Sequence, residues 1–101
     1  MRATTARQKA IRDAVRRLLP AIPMFHAEAV FDAAISRRFR HMAPHDAVIL
    51  SATARARHEE TSYDALLAEG MDRDAARFLT REDTQDALDV WGATFSVGDG
   101  D

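Results

Sequence analysis

Pro44-His45-Asp46-Ala47-Val48-Ile49-Leu50-Ser51-Ala52-Thr53-Ala54-Arg55-Ala56-Arg57-His58-Glu59 is the stretch on which the fold turns. Proline suits the first turn of a helix, where its missing N–H would have had no partner, and Asp46 close behind complements the positive end of the helix dipole. Three consecutive apolar residues, Val48, Ile49 and Leu50, point three different ways around a 3.6-residue period, so this helix is apolar on every side. Such a helix is stable in water only when other elements enclose it. The spacing therefore predicts a central buried helix at about residues 44–59 in an all-α, compact bundle.

Working outward, each flanking segment carries an amphipathic stripe. Ile11, Val15, Leu18, Leu19 and Ile22 recur at helical spacing, which predicts a helix from about Thr5 to Leu19 that Pro20 and Pro23 end. Ala27, Val30, Phe31, Ala34 and Ile35 predict a second helix from about Phe25 to Arg40, closing in the cations Arg37, Arg38 and Arg40 that suit a helix C-terminus. Thr61-Ser62-Tyr63-Asp64 reads as a helix start with a hydroxyl cap, and Gly70 as the left-handed residue that ends it. Asp72 starts the last helix. Ala76, Thr80, Thr84, Ala87, Leu88 and Trp91 share one face of it, which predicts one continuous helix to Trp91, although Thr80-Arg81-Glu82-Asp83 could also cap a new one. The total is four to five helices.

The segment after Gly92 has two glycines and no periodicity. The expected organisation is a single domain over residues 1–92 and a flexible tail over 93–101. A chain of 101 residues buries roughly 60 to 70% of the surface its unfolded form exposes, enough for one core. About a fifth of the residues are Ala, so the core rests on few large side chains: Ile11, Val15, Leu18, Leu19, Val30, Phe31, Ile35, Val48, Ile49, Leu50, Leu66, Leu67, Phe78, Leu88 and Trp91. With no cysteine, disulfides and thiolate metal sites are excluded. The longest apolar run near the N-terminus, Leu18 to Phe25, is broken by two prolines and is too short for a signal core, and nothing approaches a membrane span. A cytoplasmic location is the default expectation.

Charge is strongly segregated. Residues 1–57 hold eleven Arg or Lys against four acids, net +7, whereas residues 58–101 hold three Arg against twelve acids, net −9. One reading is a basic face for phosphates built from Arg7, Lys9, Arg12, Arg16 and Arg17 with Arg37, Arg38 and Arg40, where each neutralised phosphate releases counterions. The other is internal compensation, with the basic first helix beside the acidic last one or the two halves meeting across a homodimer. Phe39 among the arginines could stack on a base, although one aromatic in an amphipathic helix is more often core.

Polar side chains crowd one helix junction. Arg57, His58, Thr61, Tyr63 and Asp64, with Arg77 further on, form either a structural latch or an exposed recognition cluster. As a latch, Asp64 would accept from helix-start amides or pair with Arg57 or Arg77, while Tyr63 buries its ring. The pattern His-x-x-Thr-x-Tyr-Asp-x-Leu-Leu at His58 to Leu67, then Gly70, Asp72-Arg73 and Ala76-Arg77, resembles a family of small helical domains in bacteria and fungi catalogued as a domain of unknown function. The likeness is best from about Ala47 to Trp91 and weaker from Ala10 to Ala34. Between these the chain departs, with Ser36-Arg37-Arg38-Phe39-Arg40-His41 where relatives carry a Gly-containing basic loop. The resemblance implies a helical fold and names no activity.

Catalytic constellations are thin. His41, His45 and Asp46 have no recognised zinc spacing across Pro44. His58, Asp64 and a nearby hydroxyl share residue types with a nucleophilic triad, but no nucleophile elbow or glycine-rich oxyanion loop accompanies them. The four glycines are isolated and cradle no phosphate. These residues point to a non-enzymatic binding domain with no cofactor and no metal, whose partner is DNA or RNA or, alternatively, another protein or a second copy of itself.

Overall fold

α3, Pro44–Glu60, runs through the middle of the molecule, and the sequence expectation of a central apolar helix is met. Residues 1–100 are described by a computed structural model. Around α3 lie α1 (Ala6–Leu18), α2 (Met24–Ala34), α4 (Tyr63–Ala68), α5 (Arg73–Leu79) and α6 (Arg81–Val90). Single 3-10 turns follow at Arg37–Phe39 and Val97–Asp99. Among the described residues there is no strand, and no helix is long and apolar enough to cross a membrane.

The core forms where α1, α2 and α6 pack on α3. Ile11, Val15, Val30, Ala34, Ala47, Val48, Ala52, Ala56 and Leu88 are fully buried, and Phe31 and Trp91 nearly so. Each large apolar side chain taken fully out of water contributes about 1.5 to 3 kcal/mol. Alanines at positions 52 and 56 leave room for neighbouring helix axes to come close. Buried hydroxyls are satisfied locally: Thr53 donates to the Ile49 carbonyl, Thr80 to Ala76 and Thr84 to Thr80, each at 2.8 Å.

Caps explain several boundaries. Thr5 and Gln8 form a reciprocal capping box at the start of α1, and Asp72 accepts from the Ala75 amide at the start of α5. Gly70 and Gly92 take positive φ, 96° and 72°, and close α4 and α6. The chain then turns back so that Met71 N–H donates to Leu66 and Ala93 N–H to Leu88, both at 3.0 Å.

Two expected helices end elsewhere. The second stops at Ala34 instead of Arg40. Continued at helical spacing it would carry Arg38, four residues beyond Ala34 and seven beyond Phe31, onto the buried stripe, and an unpaired buried charge is costly. The backbone becomes extended at Ser36, with ψ 157°; Arg38 stays exposed and Phe39 packs against the core. The last helix is not continuous either: Thr80 both ends α5 and begins α6, raising the helix count to six. Hydroxyl bonds from Thr80 and Thr84 to carbonyls four residues back bend helices at such points. Phe78, expected in the core, is 77% exposed as a result.

Of the flexible tail expected over residues 93–101, residues 93–100 lie against the bundle, and Asp101 lies outside the described residues. Thr94 N–H donates to the Leu18 carbonyl at 3.0 Å, Val97 N–H to Gln85 Oε1 at 2.8 Å, and the Val97 side chain joins the core.

Candidate anion-binding cleft

On one flank of α3 a cleft of about 440 Å³ opens between α2, the basic 3-10 turn, α3 and α5. Four arginines reach it from three elements: Arg38 from the 3-10 turn, Arg55 and Arg57 from α3, and Arg77 from α5. Ser51, Arg55 and His58 fall four and three residues apart on α3, which puts them on one helix face. Ala29, Ala33, Phe39, Leu50 and Ala54 make the apolar part of the wall.

The arginines are held in different ways. Arg55 Nε donates to His26 Nδ1 at 3.1 Å, and Arg55 Nη1 lies 3.4 Å from Glu59 Oε1. Since His26 Nδ1 accepts, its Nε2 carries the proton and reaches Glu60 Oε1 at 3.0 Å. The Arg55 guanidinium also sits over the Phe25 ring, 5.2 Å from its centroid, and Arg38 sits over Phe39 at the same distance. Arg57 is 5% exposed and lies 5.7 Å from the centroid of Tyr63. Two atoms of this wall, Ser51 Oγ and Arg77 Nε, are buried with no hydrogen-bond partner among the described residues.

Beside the cleft sits the crowded junction between α3 and α4. Thr61 serves both helices, its hydroxyl donating to the Arg57 carbonyl and accepting from Tyr63 N–H at 3.1 Å. Tyr63 is buried with its ring edge-on to His58, centroids 5.3 Å apart. Asp64 takes neither backbone amides nor Arg57 nor Arg77; its carboxylate accepts from His58 Nδ1 at 2.6 Å. Arg57, His58 and Arg77 line the cleft, while Thr61 and Tyr63 brace the junction behind them.

A family model described as "Uncharacterized conserved protein (DUF2293)" matches residues 14–92. The chain belongs to that family. Among curated proteins and among solved structures no match is found. The span matched in DUF2293 takes in all four arginines of the cleft and the whole α3–α4 junction, and ends at Gly92, before Val97.

The basic residues expected to contact phosphates lie along α1 and the 3-10 turn. Arg7 Nη2 donates to the Phe39 carbonyl at 2.7 Å, tying the start of α1 to that turn. Lys9, Arg16, Arg17, Arg37 and Arg40 are exposed, and Arg12 is partly covered. Arg12 Nε lies 3.5 Å from Asp13 Oδ1, within ion-pair range but without a hydrogen bond. Arg38 belongs to both groups, since it also lines the cleft. Sequence reasoning missed Ser51 and Arg55 as members of a site, because they sit on a helix recognised by its burial; the Ser51, Arg55, His58 stripe was the signal that could have found them.

Proposed function

We propose that this domain is a cytoplasmic, non-enzymatic nucleic-acid-binding module whose contact surface is the basic edge of α1 and the 3-10 turn. The observation that carries the reading is the scarcity of ion pairs along that edge among the described residues. Among the described residues, the ion pair made by Arg7, Lys9, Arg12, Arg16, Arg17, Arg37, Arg38 and Arg40 is Arg12 with its own neighbour Asp13. Among the described residues, none of them forms an ion pair with an acid of α6. Exposed cations with mobile counterions are the arrangement that phosphates displace with a gain in entropy. Mobility-shift titration against duplex DNA and RNA tests the reading, with affinity expected to fall steeply as salt rises.

A protein-interaction or self-associating module is the second reading, and exposed apolar side chains favour it. Phe25 and Val90 are each 75% exposed and Phe78 is 77% exposed, apolar surface that a partner would cover with a gain in free energy. It predicts a concentration-dependent dimer in sedimentation and no retention of nucleic acid at low salt.

A further inference from the structure

Ser51 Oγ and Arg77 Nε, with Arg12 Nε on α1, are buried side-chain atoms without a hydrogen-bond partner among the described residues, and the first two share one cleft. A helical hydroxyl ordinarily donates to the carbonyl four residues back, as Thr53, Thr80 and Thr84 all do here. Ser51 Oγ does not, although Ser51 is 4% exposed. Arg77 Nε is likewise buried and unpartnered among the described residues. The two orphaned donors come from different helices, α3 and α5, and both belong to the wall of the same cleft. Buried donors that lack a protein partner and converge on a cavity mark the place of an acceptor from outside.

The chemistry of the wall narrows that acceptor. Arginine forks match oxyanions with several equivalent oxygens, phosphate above all, and Arg38 and Arg55 bring two more guanidinium groups to the cleft. Glu59, the acid of the wall among the described residues, is held by Arg55 at 3.4 Å. A cleft of about 440 Å³ is of the size that encloses a small organic ligand, and its apolar side, with Phe39 and Leu50, suits the flat face of a base. A phosphomonoester carries close to two negative charges and three terminal oxygens. A phosphodiester within a strand carries one charge, and its chain would have to enter and leave the cleft.

We propose that the cleft holds the terminal phosphomonoester of a nucleic-acid strand, with Arg77 and Ser51 donating to the phosphate and the terminal base resting against Phe39 and Leu50. This rests on the nucleic-acid reading given above and adds an end-specific site to a surface that is otherwise indifferent to strand ends.

The test is fluorescence anisotropy with one short single-stranded sequence, carrying a phosphate at either end or hydroxyls at both. The full chain is compared with Ser51→Ala, Arg77→Gln and the double variant Arg12→Glu/Arg16→Glu. The phosphorylated strand should bind about tenfold tighter than the hydroxyl strand, the scale of one charge-assisted contact. Ser51→Ala and Arg77→Gln should bring that ratio close to one, the loss falling on the phosphorylated strand. The double variant should weaken both strands alike and keep the ratio. Equal binding of the strands to the full chain overturns the end-specific site and leaves the nucleic-acid reading standing; absence of binding by every strand overturns both. A ratio that survives in Ser51→Ala also overturns the site. That variant removes an orphaned hydroxyl, so its melting temperature should equal or exceed that of the full chain and the result does not depend on Arg77→Gln folding.

Discussion

His58 Nδ1 lies 2.6 Å from Asp64 Oδ1, yet the two side chains remain 49% and 61% exposed. The hydrogen bond is short, but it is made in water, where an ion pair contributes about 0 to 1 kcal/mol. Asp64 accepts from no helix-start amide, so removing it strands no buried donor. Asp64→Ala should change stability by no more than about 0.5 kcal/mol in urea unfolding. A loss above about 1 kcal/mol would mean that the carboxylate braces the junction after all.

Thr61 carries the greater structural burden at this junction. Its hydroxyl joins the Arg57 carbonyl to Tyr63 N–H, so Thr61→Val leaves both without that partner. The expected destabilisation is about 1 to 3 kcal/mol by denaturant titration, with nucleic-acid affinity unchanged under conditions where the variant is folded. An unchanged unfolding midpoint would show that water replaces the hydroxyl at no loss.

Gly92 combines a positive φ of 72° with a close approach, since a Cβ there would meet Ala21 Cβ and Pro20 Cγ at 3.3 Å. Gly92→Ala should destabilise by about 1 to 2 kcal/mol through backbone conformation alone. Gly70 has φ 96° and open space around it, so Gly70→Ala should show the backbone penalty without the crowding. Comparison of the two melting temperatures separates the effects, and an equal loss would argue against any contribution from the Pro20–Ala21 contact.

The segment after Gly92 offers a test of where the domain ends. Val97→Ala removes the equivalent of two methylenes from a side chain 5% exposed, which should cost about 1 to 2 kcal/mol. Slow amide exchange at Thr94 and Val97, whose N–H groups donate to Leu18 and Gln85, should accompany it. Fast exchange at both, with stability unchanged in Val97→Ala, would restore the boundary at Gly92.

The contrasts between sequence and structure have physical causes. α3 was legible because Val48-Ile49-Leu50 leaves a helix no polar side there, and Asp72 and Gly70 because capping chemistry is local. The end of α2 was not, since the basic run looked like a favourable C-terminus; what decides it is that helical spacing would carry Arg38 onto the buried stripe behind Phe31 and Ala34. Thr80 interrupts a stripe whose apolar spacing continues unbroken on both sides, so periodicity could not reveal it. Val97 is a single apolar residue between Ser96 and Gly98, and only its docking gives it meaning. For the candidate site, Arg57, His58 and Arg77, grouped from the motif region, line one cleft with Ser51 and Arg55, which share a face of α3 with His58, and with Arg38, which tertiary packing alone brings there.

The salt dependence of nucleic-acid binding tests the central claim most directly. For the full chain, log affinity should fall linearly with log salt, by about 0.9 for each duplex phosphate contacted. Arg12→Glu with Arg16→Glu should weaken binding and flatten that slope by about two contacts, while far-UV circular dichroism stays helical. No measurable binding to duplex DNA or RNA at low salt, or a slope that the double variant leaves unchanged, would contradict a phosphate-binding edge along α1.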